Sequence, residues 1–344
     1  MTETMPKICV MITGGTALFA GEGKIILVAK EDDLKPWVAA VPEARLMGAH
    51  VDFRVFFGST PGIASPDVWQ RTARFIFEHS KEYAGFIILA GLESIPYFAQ
   101  ALTLMLPHVS LPVVFAGSQL PDYIQDDPTG GADIISRSRD LGVRANLVNA
   151  LHVVLHDIYG IYVMFGDRLI TPERISLTAP LQSIPFNYKP SQIVGNVEFS
   201  IKLTNEFEKK LHRKKSAMEL KDAVEPCVGV FDLSPVQMAM DIAAHLKRVY
   251  GALFYVPPTF AVPDDVLHAV LHRSPRVPVA FVGHPLIVPH EEREGNFFKQ
   301  LRRNHVIWLE EENKEWLLVK FMWALGQTQD FTKLAAFMIH GKGL

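Results

Sequence analysis

Seven short runs of consecutive apolar residues recur along the chain, and each has the composition of a β-strand. The runs are rich in Val, Ile and Phe. Apolar residues at successive positions are typical of strands covered on both faces, as in a parallel sheet between helices. The runs are 7–13, 86–91, 112–117, 160–165, 227–233, 251–256 and 278–283. Together they predict an α/β protein.

Two of the intervening segments carry helix-start signals. In SPDVWQRTARFIFE, Ser65 can cap a helix and Pro66 suits its first position. DLSPVQMAMDIAAHL contains the same pair of signals, at Ser234 and Pro235. Apolar residues at helical spacing follow the first start at Trp69, Ala73, Ile76 and Phe77. Both predicted helices come soon after a strand or loop, as βα units require.

A change of composition near the middle of the chain predicts a domain boundary. Residues 205–225 are dense in Lys, Arg and Glu. We expect an N-terminal α/β domain over 1–204, an exposed connection over 205–225 and a smaller C-terminal α/β domain over 226–344. Interleaved acids favour a solvated linker, although the basic residues offer an alternative contact for an acidic partner. The basic cluster consists of Lys209, Lys210, Arg213, Lys214 and Lys215.

Length and charge restrict the possible partners. The 344 residues, 49% of them hydrophobic, suffice for two domains with separate cores. A formal net charge of −3 shows no basic bias toward nucleic acid or an anionic membrane surface. No apolar run approaches the roughly 20 residues that span a bilayer. We therefore expect no nucleic-acid or membrane partner.

The two cysteines and the N-terminus favour a cytoplasmic location. Cys9 and Cys227 both lie in apolar runs, which suits a small buried hydrophobic residue better than a disulfide or a metal ligand. The sequence MTETMPK lacks the basic and apolar regions of a signal peptide. His268 and His272 lie four residues apart without a third ligand pattern, which favours an exposed helix face over a metal site. We expect neither a metal nor a cofactor.

Three strand ends carry the candidate chemistry. Thr13–Thr16 reads TGGT, Gly91–Ser94 reads GLES, and Gly117 with Ser118 ends a third run. Glycines after a strand let the backbone turn sharply and direct amides toward a ligand, and ligands bind at the carboxyl edge of parallel sheets. The three ends can converge on one crevice, with Gly15, Gly91 and Ser118 among its candidate ligand contacts.

With these motifs in this order, the chain resembles the L-asparaginase family, especially its cytoplasmic type I branch. The resemblance reaches nearly the whole chain. It rests on TGGT, SPDVW, YAGFIILAG followed by AQALTLML, LPVVFAGSQLP, RANLVNAL and KFMWALGQTQD. It implies a large N-terminal domain with a mixed, mostly parallel sheet flanked by helices, a smaller C-terminal α/β domain, and homodimers or homotetramers.

The resemblance also implies a reaction. In the family a threonine attacks the side-chain amide of asparagine, an acyl-enzyme forms, and water releases aspartate. The nucleophile corresponds to Thr16. A second threonine, followed by an aspartate in a His-Gly-Thr-Asp-Thr pattern, works with a lysine to move protons, and no cofactor takes part.

The proton relay departs from the family's pattern at two positions. The segment that matches His-Gly-Thr-Asp-Thr is Ala90–Ser94, so that Leu92 replaces the second threonine. Counting along the Gly-x-Arg-x-x-Lys pattern puts Leu177 at the lysine position. A hydroxyl nucleophile needs a base within hydrogen-bond reach, and leucine provides none. His152 and His156 are an alternative base only if their helix reaches the site.

The positions that bind substrate in the family are also altered. The polar pair before SPDVW falls on Pro61–Gly62, although a shifted loop can recruit Ser59 and Thr60. Glu93 keeps the carboxylate that binds the substrate's α-amino group in the family, but its side chain is one methylene longer than that of the family's aspartate. It either binds a different small amine or forms a local salt bridge. Ser94 keeps a hydroxyl.

Two functions therefore stay open. One is a homologue with weak or lost L-asparagine hydrolysis, retained as a binding or assembly protein for a small amino acid or amide. The other is an active, divergent asparaginase or related amidohydrolase that uses Thr16. Loss of one relay member usually costs orders of magnitude in rate, and two altered positions favour the first.

Overall fold

The computed structural model of the chain divides into two compact units, residues 1–222 and 223–344. The residues that the structure describes are 5–13, 17–20, 24–27, 32, 48–56, 64–118, 143–178, 186–197, 200–205, 207, 217–233, 239–256, 262–274, 276–283, 296–311 and 313–339. The basic cluster at 209–215 lies outside them. Residues 217–225 form no helix or strand. The boundaries 1–204, 205–225 and 226–344 stay a prediction.

The first unit contains twelve strands and three α-helices among its described residues. In chain order they are β1 (Lys7–Thr13), β2 (Ala17–Ala20), β3 (Lys24–Leu27), β4 (His50–Phe56), α1 (Pro66–Glu78), β5 (Gly85–Gly91), α2 (Ile95–Met105), β6 (Pro112–Ser118), α3 (Val143–Val154), β7 (Gly160–Phe165), β8 (Arg168–Ile170), β9 (Ser176–Leu177), β10 (Phe186–Asn187), β11 (Ile193–Val197) and β12 (Ile201–Leu203). A 3-10 turn, Pro190–Gln192, precedes β11.

The second unit alternates strands and helices. Its elements are β13 (Val228–Asp232), α4 (Ala239–Leu246), β14 (Gly251–Tyr255), α5 (Asp264–Leu271), β15 (Val279–Val282), α6 (Asn296–Arg303), β16 (Val306–Leu309), α7 (Lys314–Gln327) and α8 (Phe331–Ile339). The four strands form one parallel sheet in the order β13-β14-β15-β16. The helix start predicted at Ser234 and Pro235 lies outside the described residues.

The large sheet of the first unit is mixed and mostly parallel, as the family resemblance implies. Its order is β12-β11-β8-β7-β6-β5-β1-β4. The five strands from β7 to β4 are parallel, whereas β8, β11 and β12 pair antiparallel. β2 with β3, and β9 with β10, form separate antiparallel pairs. The central strands β1 and β5 are buried along almost their whole length, because helices and their neighbours cover both faces.

Helix α1 begins with Pro66, as predicted, but Ser65 does not cap it. The Ser65 hydroxyl bonds to the Asp67 carboxylate instead. The indole Nε1 of Trp69 donates to the Ala64 carbonyl at 2.6 Å and fixes the start of the helix. The buried face of α1 consists of Val68, Trp69, Thr72, Ala73 and Ile76.

A small charged cluster lies at the amino end of β1 and β4. The Asp52 carboxylate accepts from Lys7 Nζ at 2.9 Å, from the Tyr83 hydroxyl at 2.9 Å and from His50 Nε2 at 3.1 Å. Burial alone raises the pKa of Asp52, but the hydrogen bonds from Lys7 and Tyr83 and the charge of Lys7 outweigh it and hold that pKa below its ordinary value. The cluster stabilises the edge strand β4 against β1.

The two cysteines have different environments, which corrects one prediction. Cys9 is fully buried in β1, as expected, and burial raises the pKa of its thiol to about 12. Cys227 is exposed. It precedes β13 and lies outside the sheet's core, and its thiol contacts the Arg248 carbonyl at 3.3 Å. Among the described residues, no helix is long and apolar enough to cross a membrane.

Candidate functional site

The carboxyl ends of β1, β5 and β6 form one continuous edge of the large sheet. β5 lies between β1 and β6, and all three are parallel. Gly91 and Ser118 are partners in the register of β5 and β6. Thr13 ends β1 at the same level, where its hydroxyl donates to the Leu89 carbonyl at 2.9 Å. Thr13, the GLES turn and the Gly117–Ser118 strand end therefore lie along this edge.

The direction of the chain through the sheet changes at β1. The strand β4 lies on one side of β1, and β5 lies on the other. In open α/β sheets such a switch point leaves a crevice beyond the carboxyl ends of the strands, and ligands bind there. Gly15 and Thr16 directly follow β1 but lie outside the described residues, as do Ser59 and Thr60. Ser118 is described by its backbone position in β6 alone.

Leu92 closes part of this edge. After β5 the chain turns at once, and the Ser94 amide donates to the Gly91 carbonyl at 2.9 Å. The turn directs the Leu92 side chain inward, so that only 2% of the residue is exposed. It lies over the backbone of Gly117: a Cβ at that glycine would be 2.4 Å from Leu92 Cδ2 and 2.9 Å from Ile95 Cδ1. At the position of the second threonine of the proton relay, the chain thus has an aliphatic side chain in contact with β6.

Glu93 and Ser94 lie on the open side of the same turn. Glu93 is exposed, and no basic side chain among the described residues pairs with it. Ser94 is half-buried, and its Oγ lies 3.5 Å from the Ala64 amide, which joins the turn to the start of α1. Of the two roles open for Glu93, the local salt bridge thus finds no support in the described part of the chain.

The segment that carries Leu177 lies against the first turn of α2. Gln100 of α2 is fully buried, and its Nε2 donates both to the Pro96 carbonyl at 2.5 Å and to the Ile175 carbonyl at 2.9 Å. Leu177 is half-buried in β9, opposite Phe186. The two altered relay positions therefore belong to neighbouring segments, one just before α2 and one held against it.

Asn146 is a site residue that reasoning from the sequence missed. It is fully buried in α3, its Nδ2 donates to the Gly117 carbonyl at 3.0 Å, and its Oδ1 accepts from the Gly166 amide at 3.0 Å. The Asn149 side chain donates to the Gly166 carbonyl at 2.8 Å. The motif RANLVNAL contains both asparagines, but a helix sequence does not show which strands its side chains reach.

These bonds replace a backbone ladder. The register of β6 with β7 runs from Pro112 to Ala116, whereas the register of β6 with β5 continues to Ser118. Past Ala116, the Asn146 side chain bridges the two strand ends, because its Nδ2 donates to Gly117 of β6 and its Oδ1 accepts from Gly166, just after β7. Gly166 has φ +61°, a left-handed conformation that suits glycine. On the side of β7, the carboxyl end of β6 is therefore held by the Asn146 side chain, while β5 pairs with it on the other side.

The histidines considered as substitute bases do not reach this edge. Asn146, in the first turn of α3, contacts the carboxyl end of β6, and the helix runs away from there. His152 lies near the far end of α3 and His156 lies beyond it, and both are exposed. His268 and His272 lie on an exposed face of α5 in the second unit, where their rings stack at 4.0 Å.

Comparison with known proteins identifies relatives over most of the chain. Residues 7–209 match a family model described as "Asparaginase, N-terminal". A protein named L-asparaginase from Thermococcus kodakarensis is 25% identical over 96% of this chain and 96% of its own length. A protein from Methanosarcina acetivorans, named as a subunit of Glutamyl-tRNA(Gln) amidotransferase, is 24% identical over 98% of this chain and 78% of its own length.

A solved structure shares the fold. The thermostable L-asparaginase from Thermococcus kodakarensis superimposes with a TM-score of 0.72 at 22% identity, over 97% of this chain and 99% of that one. At this identity the likeness concerns the fold alone. It extends the match beyond residue 209, the end of the region that the family model covers.

Proposed function

The chain belongs to the asparaginase family, and on this basis we propose that its L-asparagine amidohydrolase activity is weak or lost and that it serves as a binding or assembly protein. The observation that carries the proposal is the burial of Leu92 against Gly117. At this position the family resemblance places the threonine of the proton relay.

The chemistry follows from what Leu92 excludes. A threonine hydroxyl is a poor nucleophile at neutral pH unless a neighbouring group accepts its proton. Leu92 has no such group, and its side chain is buried and packs over Gly117. Leu177 likewise lacks the amine of the lysine. Even if Thr16 occupies the nucleophile position, it lacks both partners that the family's mechanism supplies.

The binding part of the proposal rests on Glu93 and Ser94. Glu93 presents an exposed carboxylate at the same edge, and Ser94 adds a hydroxyl beside it. A carboxylate attracts the α-ammonium group of a small amino acid, and a hydroxyl oxygen can accept a hydrogen bond from it. The proposed ligand is therefore a small amino acid or its amide, bound without turnover.

Assembly with other chains is the second part of the proposal. The relative from Methanosarcina acetivorans is named as part of a larger enzyme, which supports a function within a complex. The family resemblance favours a homodimer or homotetramer. The two free cysteines support a reducing, cytoplasmic location. Light scattering on the purified chain measures its oligomeric state directly.

A second candidate is an active L-asparaginase that works through Thr16. It is favoured by 25% identity to a protein of that name over nearly the full length of both chains. Ammonia release from asparagine, glutamine and simple amides separates the two candidates. We expect turnover far below the roughly 10 per second of an ordinary enzyme, and no change on Thr16→Ala. Thr16-dependent turnover near that value would refute the proposal.

Binding is tested separately by thermal shift. A ligand that binds the folded state raises the unfolding temperature. We expect a shift with L-asparagine or L-aspartate that Glu93→Gln removes. Glu82→Gln is the matched control, because Glu82 is an equally exposed glutamate at the opposite end of β5. No shift for the wild-type chain with either amino acid would contradict the binding role.

A further inference from the structure

Gln100 joins two segments that are distant in sequence. Its Nε2 donates to Pro96 in the first turn of α2 and to Ile175, 75 residues away along the chain. Among the described residues its Oε1 has no hydrogen-bond partner, although the atom is buried. A buried amide with one unsatisfied end is costly, and methionine or leucine would fill the same space without that cost.

The segment that receives this bond has little regular structure of its own. Arg174 has φ +60°, a left-handed conformation that is unfavourable for a side chain other than glycine or asparagine. The turn that it forms is closed by a weak bond of 3.3 Å from the Ile175 amide to the Pro172 carbonyl. β9, which follows, contains two residues. The segment therefore depends on its anchors.

Two glutamines add anchors to this segment, beside the burial of Ile175 and the pairing of β9 with β10. Gln192 Nε2 donates to the Glu173 carbonyl at 2.6 Å and to the Thr171 carbonyl at 3.3 Å, which fixes the start. Gln100 holds Ile175, two residues before Leu177, and this anchor connects to α2. Helix α2 begins directly after the turn Gly91–Ser94. Gln100 is thus the direct link between the segment of Leu177 and the helix that extends from the turn.

Building on the function proposed above, we propose that Gln100 is a positioning residue of the site, which fixes the distance between residue 177 and the turn Gly91–Ser94. The bond to Pro96 holds the side chain in place on its own helix, and the bond to Ile175 then ties the other segment to that helix. The 175–178 segment is then held at a constant position relative to α2 and to the turn that precedes it. Without this bond, the strained turn at Arg174 can relax and carry β9 with it.

Hydrogen exchange measured by mass spectrometry tests this role on the full-length chain. Gln100→Met keeps the volume of the side chain and removes both bonds. We expect exchange of residues 173–178 to accelerate about tenfold or more, as for local opening, while β5 and β6 keep their protection. Thr103→Val is the control, because Thr103 lies on the same helix and its hydroxyl bonds within it, to Ala99 at 2.9 Å.

A distance measurement separates positioning from general stabilisation. Spin labels at Glu93→Cys and Thr178→Cys, in a Cys227→Ser background, report the separation well below the unfolding temperature. We expect Gln100→Met to broaden or lengthen this distance and Thr103→Val to leave it unchanged. An unchanged distance, or faster exchange spread evenly over the whole chain, would overturn the positioning role. Both measurements are independent of asparagine hydrolysis, so an active wild-type enzyme would refute the proposed function alone.

Discussion

The contact between Leu92 and Gly117 can be tested by a double-mutant cycle. In Gly117→Ala the new methyl group would lie 2.4 Å from Leu92 Cδ2, closer than real contacts allow. The β6 backbone cannot retreat easily, since Gly117 is paired with Ala90 of β5 and its carbonyl accepts from Asn146. Such overpacking typically costs about 1–3 kcal/mol. Leu92→Ala removes a buried side chain and should cost about 2–5 kcal/mol.

The two changes should partly compensate for each other. In Leu92→Ala/Gly117→Ala the new methyl enters space that the leucine has vacated, and only the flexible end of Ile95 remains close. We expect the double variant to be about 1–3 kcal/mol more stable than the sum of the single changes.

The assay is denaturant unfolding of the four proteins, followed by fluorescence and circular dichroism. Leu102→Ala combined with Gly117→Ala is the control pair, because Leu102 is buried on α2 and is not among the residues nearest to the added methyl. That pair should be additive within about 0.5 kcal/mol. Additivity for Leu92 with Gly117 as well would refute the packing on which the proposed loss of activity depends.

Three further predictions concern other parts of the fold. The pKa of Asp52 is held low in the folded state, so its ionised carboxylate stabilises the fold. This stabilisation is fully present above the unfolded-state pKa of about 3.9 and is lost as the pH falls through the folded-state pKa. Asp52→Asn should therefore lower the midpoint temperature of unfolding at pH 7 and have little effect on that temperature near pH 2. Asn146→Leu leaves the carbonyl of Gly117 unpaired and should cost about 2 kcal/mol in thermal unfolding. In thiol titration Cys227 should react with the native protein, whereas Cys9, with a pKa near 12 and no exposure, should react only after unfolding.

Strands buried on both faces were predictable from the sequence. The runs at 7–13 and 160–165 coincide with β1 and β7, and the other five differ from their strands by one residue at one or both ends. For the run 227–233 the predicted burial on both faces was wrong, because β13 lies at the edge of its sheet and Val230 is 46% exposed. The strand β4 was missed, because HVDFRVF alternates apolar and polar residues. That pattern is typical of a half-exposed edge strand. β16 was missed because its four residues, VIWL, form too short a run.

The candidate site was less accessible from the sequence alone. The three strand ends could be identified, but the register of β5 with β6 brings Gly91 beside Ser118, and only the sheet shows it. Substitution of the relay position by Leu92 followed from the motif, whereas its contact with Gly117 depends on the turn that follows β5. Gln100 and Asn146 act across 75 and 29 residues of sequence, and long-range side-chain bonds leave no periodic signal.

The end of β6 has a practical consequence for engineering this scaffold. The hydrogen bonds between two backbones cannot be altered at one position without disturbing the neighbouring ones. A hydrogen bond from a side-chain amide can be altered by substituting one residue. Because the Asn146 side chain joins β6 to the residue after β7 where their ladder has ended, and Asn149 holds the same glycine, this edge depends on residues that a small library can vary. Combined substitutions at 92, 117, 146 and 149 would change the shape of the carboxyl edge, while the hydrogen-bonded part of the sheet stays intact.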